Sequence, residues 1–196
     1  MLQVLAGTES GLSASQISRL AGRGTRVGQL PVLNRLAEHG LVTAEPANRG
    51  FLYRLNREHV LAEPVLMAAR ARATILRRLA ESVGRLQPVP VHASVFGSFA
   101  RNAAGPDSDI DVLVIATSEP TDEWSDQLRE LGDLVLAWTG NRMEHVTLSV
   151  ERLRHVVAAG EPIVASWLDD AIDLHGTPLR SLVRVPQPGV GSKARR

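Results

Sequence analysis

Two short stretches of this chain carry residue types that could do chemistry together. The segment VHASVF (91–96) is followed by Gly97 and Ser98, and further on comes the triplet Asp109-Ile110-Asp111. Glycine lets the backbone approach a ligand closely, and a helix starting there aims unpaired N–H groups outward, a ready cradle for phosphate. The Ser98 hydroxyl adds a donor. If a strand begins near Asp109, alternation puts Asp109 and Asp111 on one face and Ile110 and Val112 on the other. Two carboxylates so placed oppose folding unless something neutralises them. Hard oxygen ligands suit Mg²⁺ or Mn²⁺. Two such ions would activate an attacking hydroxyl and stabilise a departing pyrophosphate in an in-line displacement.

That chemistry requires a cradle and a carboxylate pair on adjacent strands, and the surrounding elements read accordingly. Residues 91–96 are a buried strand, and Gly97-Ser98 turns into a short helix. The apolar run Val112 to Ile115 carries a second strand into the core. A helix is expected at about 123–138 and a strand at 142–149, followed by helices at 151–159 and 161–170 and a short strand at 173–176. His92 reads as a structural residue, and Asp169, Asp170 and Asp173 read as a solvated helix end.

The stretch GSFARNAAGPDSDIDVLVI resembles the signature of DNA polymerase beta-like nucleotidyltransferases, in the form seen in their minimal group. The resemblance covers about residues 88–180. It implies that Gly97 and Ser98 hold an NTP triphosphate, and that Asp109 and Asp111 bind Mg²⁺ or Mn²⁺. Asn102 stands where many relatives have Gly. Arg101 either reaches a phosphate or faces solvent. The superfamily places a third carboxylate, a metal ligand or general base, on a later strand. Glu144 is the candidate for it, and His145 is an alternative base. The implied activity is transfer of NMP, by default AMP from ATP, to a hydroxyl of a protein or small molecule. Relatives include partners of HEPN toxins, so such a toxin is an expected acceptor.

The N-terminal half has a different character. Residues 1–88 carry a charge balance of +6, and residues 89–196 a balance of −5, which points to a polyanion partner for one half and cations for the other. Arginine bias is the alternative, since the chain holds a single Lys. Ser13 can cap a helix that turns Ile17 and Leu20 inward, broken by Gly22 and Gly24. A second helix carries Val32, Leu33, Leu36 and Ala37 and ends at Gly40. Residues 41–44 and 51–55 read as a hairpin. The run NRLAEHGLV, then a turn and YRLN, resembles winged helix-turn-helix regulators. In those modules the second helix enters the major groove, so the DNA-contacting candidates are Arg26, Gln29, Asn34 and Arg35, with Arg49 and Arg54 on the wing. Pro31 argues that this helix starts late, near Gly28, or is bent. The same module could serve instead as a dimerisation or protein-docking surface.

The expected class is α+β: a winged helix-turn-helix at 1–62, a linking helix at 63–87, a small nucleotidyltransferase α/β domain with a mixed sheet at 88–182, and a disordered tail at 183–196. The linking helix packs on both domains or forms a homodimer contact. Cysteine is absent, which excludes disulfides, thiolate zinc sites and cysteine nucleophiles and fits a reducing cytoplasm. Neither a signal peptide nor a membrane span is legible. The competing functional reading is a DNA-binding regulator whose transferase-like domain only senses nucleotide.

Overall fold

The computed structural model describes residues 1–22, 26–48, 50–105 and 108–183, with Arg26 described by its backbone alone. Expectations placed on Gly24, Arg49, Pro106, Asp107, the tail from 184 onward and the side chain of Arg26 lie outside the described residues. The chain divides into two compact units, Met1–Thr74 and Ile75–Arg196. Among the described residues no helix is long and apolar enough to cross a membrane.

The first unit runs α1 (Leu2–Ala6), β1 (Leu12–Ser13), α2 (Ala14–Ala21), α3 (Arg26–Glu38), β2 (Val42–Ala47), β3 (Gly50–Leu55) and α4 (Ala62–Ala69). Its sheet has the order β1-β3-β2, antiparallel throughout. Ser13 starts α2 with a capping box. Its Oγ accepts from the Gln16 N–H at 3.3 Å, while Gln16 Oε1 accepts from the Ser13 N–H at 2.8 Å. Two otherwise unpaired donors are thereby satisfied. Leu5, Ile17, Leu33, Val42, Tyr53 and Leu55 form the core.

Four details depart from the sequence reading. Leu20 is exposed, because Ile17 alone of that pair meets the core. Leu12 and Ser13 form a short strand that the sequence does not signal, paired with Tyr53 and Leu52 and leading straight into α2. α3 begins at Arg26, not late, and continues past Pro31. The 63–87 segment is two helices, α4 and α5 (Ala71–Val83), interrupted at Arg70. Val65 and Leu66 pack on the first unit's core, whereas Ile75, Leu76, Leu79 and Val83 pack on the second unit's.

The second unit continues with β4 (His92–Phe96), α6 (Gly97–Ala100), β5 (Ile110–Ala116), α7 (Asp122–Thr139), β6 (Met143–Ser149), α8 (Val150–Ala158), α9 (Pro162–Asp170), β7 (Ile172–Gly176) and α10 (Leu179–Leu182). The sheet is mixed, with strand order β6-β5-β4-β7. β4 is antiparallel to both neighbours, and β5 is parallel to β6. A parallel pair needs a crossover, and α7 supplies it. Thr121 caps α7, its Oγ1 accepting from the Trp124 N–H at 3.3 Å.

Alternation along β5 splits the core in two. Ile110, Val112 and Val114 meet Leu79 and Val83 of α5 and Trp124, Leu128 and Val135 of α7. Leu113 and Ile115 meet Leu153 and Val156 of α8, Val164 and Trp167 of α9, and Leu179 of α10. Each fully buried side chain of this size contributes on the order of 1.5–3 kcal/mol. Asp111 belongs to the second face by the same alternation.

His92 is fully buried in β4. Nδ1 donates to the Thr177 carbonyl at 2.9 Å, and Nε2 accepts from Ser94 Oγ at 2.9 Å. This pairing uses a neutral ring. Burial lowers the His92 pKa; the Thr177 carbonyl and, more weakly, Asp173 oppose that shift. Since the folded state takes up this proton less readily than the unfolded chain, His92 stabilises the fold at neutral pH. That contribution is lost as pH falls below the ordinary histidine range. The melting temperature should therefore drop more steeply between about pH 7.5 and 5.5 in the wild type than in His92→Asn. Parallel slopes in differential scanning calorimetry would show that His92 is no part of the acid sensitivity.

Candidate functional site

The site grows from two turns and two strand starts. β4 ends at Phe96, and Gly97 takes φ +68°, a conformation glycine adopts without steric cost. A Cβ at Gly97 would also run into Oδ2 of Asp111. Gly97 is thus required twice, by its own backbone and by the carboxylate packed against it. α6 is a single turn, closed by Arg101 N–H donating to the Gly97 carbonyl at 3.1 Å. Asn102 follows with φ +57°. The left-handed region favours Gly and tolerates Asn, so the backbone at Asn102 is one that would also suit glycine.

The second carboxylate stretch is held from below. Ser108 Oγ accepts from the Gly105 N–H at 2.8 Å, and the Ser108 carbonyl accepts from Asn141 Nδ2 at 2.8 Å. Ile110 N–H donates to the Arg142 carbonyl at 2.8 Å. Asp109 is therefore fixed between two residues tied to the turn that opens β6. It sits one position before β5 and is exposed, while Asp111 is partly buried within the strand.

The register of the sheet brings the third carboxylate in. Asp111 pairs with Phe96 on one side and with Glu144 on the other. Paired residues of a parallel ladder share a face and stand about 4.8 Å apart, so Glu144 flanks Asp111. His145 pairs with Val112 and lies on the opposite face, which separates it from the carboxylates. Asp111's pKa is raised, first by burial, then by the negative charges of Asp109 and Glu144, with Arg101 acting in the other direction. Asp109, Glu144 and Arg101 therefore all act on Asp111.

Among the described residues no group of three or more His, Asp or Glu side chains forms a ready-made metal cage. The donor chemistry nonetheless fits Mg²⁺, which is commonly bound through one or two carboxylates with water and substrate phosphate completing the shell. A carboxylate cluster whose central member resists ionisation is short of positive charge, and a hard divalent cation supplies it.

Other expected contacts divide. Arg101 is salt-bridged to Asp170: its Nη1 donates to Oδ2, which also accepts from Ser166 Oγ at 3.4 Å. Asp170 is consequently an ion-pair partner, not a solvated helix end. In the first unit Gln29 is buried, so its side chain is withdrawn from any DNA surface. Asn34 and Arg35 are exposed, with Asn34 Oδ1 accepting from Tyr53 Oη at 3.3 Å. Arg54 pairs across the hairpin with Glu45 at 2.9 Å. Asp170 and Asn141 escape a reading of local motifs, because each acts on a residue far away in the chain, on Arg101 and on Ser108; Ser166 acts only through Asp170, one turn away.

Residues 76–151 match the family model of the nucleotidyltransferase domain. No curated protein matches the chain. Two solved structures are similar to it. One is a toxin–antitoxin crystallised with AMP-PNP, 17% identical, covering 55% of this chain and 80% of that one, with a TM-score of 0.39. The other is a mutant of the toxin–antitoxin MntA-HpeT, 15% identical, covering 55% and 80%, with a TM-score of 0.38.

The electrostatics yield a stability prediction. A raised carboxylate pKa means the folded state holds the proton more tightly than the unfolded chain. The stabilising contribution is present in acid and is lost as pH rises through the folded pKa. At neutral pH the ionised Asp111 thus opposes folding. Asp111→Asn should raise the metal-free melting temperature, on the order of 1–3 °C; a fall would show the acid to be a structural asset. Gly97→Ala should lower it, by an amount corresponding to about 1–3 kcal/mol, and an unchanged melting curve would contradict the tight turn.

Proposed function

We propose that the Ile75–Arg196 unit, whose residues 76–151 are a nucleotidyltransferase domain, catalyses metal-dependent transfer of a nucleoside monophosphate from an NTP to an acceptor hydroxyl. The single observation carrying this reading is the β5–β6 register, which sets Glu144 beside Asp111 next to a glycine turn that only a missing side chain permits. A domain that merely sensed nucleotide would need the cradle and the paired aspartates, but not a third acid flanking them.

The residues then take these roles. Gly97 and Ser98 receive the triphosphate, with backbone N–H groups and the Ser98 hydroxyl as donors. Arg101 adds positive charge at the same phosphates. Asp109 and Asp111 would hold Mg²⁺ or Mn²⁺, which would supply positive charge to polarise the phosphate oxygens and the acceptor hydroxyl. Glu144 accepts the proton of the acceptor hydroxyl. The hydroxyl oxygen bonds to the α-phosphorus, the bond between that phosphorus and the bridging oxygen breaks, and pyrophosphate leaves. ATP as donor and a protein side chain as acceptor follow from the resemblance of GSFARNAAGPDSDIDVLVI to the minimal group.

The first unit supports a recognition role. The exposed residues of α3 include Val27 (81% exposed), Leu30 (39%) and Val32 (47%), apolar side chains without donors or acceptors for phosphates and base edges. With Gln29 withdrawn, this favours docking of a protein partner over DNA binding. Only Asn34 and Arg35 remain as exposed polar candidates for the DNA alternative among those described on the helix.

Labelled NTPs with Mg²⁺ or Mn²⁺ should yield label transfer to a protein acceptor, abolished in Asp109→Ala/Asp111→Ala and reduced on the order of 10²–10⁴-fold in Glu144→Gln. Full activity of Glu144→Gln would remove it from the reaction, and nucleotide uptake with no transfer to any acceptor would favour the sensor. On DNA, retention should be weak. A salt-dependent shift whose slope falls by about one in Arg35→Ala would instead favour the regulator.

A further inference from the structure

Asp170 is at the last position of α9, outside the residues matched to the transferase family. A carboxylate there faces the negative end of the helix dipole, where acids are disfavoured; Asp169 precedes it and adds to the same charge. The helix itself gains nothing from this placement. Yet the Asp170 side chain is largely buried, 17% exposed, and Arg101 pairs with it from β4's side of the unit. Ser166, one turn earlier in α9, donates to the same Oδ2 at 3.4 Å and so limits the freedom of the carboxylate.

Arg101 occupies the position directly after α6, the single turn begun by Gly97 and Ser98. Its hydrogen bond to Asp170 uses Nη1. A guanidinium carries five N–H donors in a rigid plane, so holding one edge orients the others. The opposite influence on Arg101 is Asp111, whose negative charge it favours. Arg101 therefore interacts both with an anchoring acid and with Asp111 of the site.

Resting on the transferase reading above, we propose that Asp170 is a positioning residue: with Ser166 behind it, it anchors one edge of the Arg101 guanidinium so that the remaining donors face the triphosphate seated at Gly97-Ser98. The acid acts only through Arg101 and touches neither nucleotide nor metal. Two consequences distinguish this from a purely structural ion pair. Loss of Asp170 weakens nucleotide binding only while Arg101 is present. A carboxylate of different length restores part of the effect, which an amide cannot.

The experiment is calorimetric titration of the full chain with Mg·ATP, with melting temperature followed in parallel. Asp170→Asn should weaken binding about 5- to 20-fold, and Arg101→Ala by at least as much. The double variant should be no worse than Arg101→Ala, Asp170→Glu should recover part of the loss, and Ser166→Ala, which leaves the ion pair in place, should lose only a few-fold. Losses that multiply in the double variant, or binding by Asp170→Asn equal to or tighter than wild type, would overturn the positioning role while leaving the transferase reading intact. If Asp170→Asn does not fold, Ser166→Ala alone and in the Arg101→Ala background decides the same question. Failure of the wild type to take up Mg·ATP would remove both readings together.

Discussion

Like charges held close by backbone pairing are the constraint around which the second unit is organised. β5 and β6 run parallel in register, and Asp111 and Glu144 face each other across them, with Asp109 one step before the strand. Hydrogen-bonded strands cannot drift apart to relieve repulsion, so Asp111, reluctant to ionise first because it is buried, is made more so by the charges of Asp109 and Glu144. The sheet tolerates it because both faces are otherwise covered by apolar side chains, from α5 and α7 on one side and α8, α9 and α10 on the other. The fold in effect maintains a local deficit of positive charge, and an Mg·nucleotide complex is chemically suited to fill it.

The tight turn before α6 answers to the same constraint. Asp111 packs so closely on Gly97 that any side chain there would meet its carboxylate. The glycine thus serves the acid as much as the ligand. Arg101, set three residues beyond Ser98 and one before Asn102 at φ +57°, brings a positive charge that acts on Asp111. It offsets part of the cost of ionising Asp111. Stability and chemistry pull against each other here, as they do wherever a binding site concentrates charge of one sign.

The Met1–Thr74 unit obeys a simpler logic. A capping box, a small sheet and a core of Leu5, Ile17, Leu33 and Tyr53 make it compact. Its α3 does not separate apolar from polar residues in the usual way. Leu33 is buried, while Val27, Leu30 and Val32 remain in water.

Much of the site was legible in the residues alone, because local chemistry writes it. A Gly-Ser after a buried strand, and Asp109 and Asp111 on alternate positions of the next, are short-range patterns governed by strand periodicity and the conformational freedom of glycine. The mixed sheet was implied by the resemblance of this stretch to nucleotidyltransferases, since apolar runs alone do not set strand direction. What local patterns could not contain was anything set by pairing between distant segments. The placement of Glu144 rather than His145 beside Asp111 depends on the β5–β6 register, where a slip of one residue would exchange the two faces. The Arg101–Asp170 pair joins elements separated by most of the unit, and the burial of Gln29 depends on how α3 rotates onto its core. The division of the 63–87 segment into α4 and α5 arises because its two ends find different cores. Sequence determined which groups could react; only the tertiary structure decided which of them meet, since charge and register act through space and not along the chain.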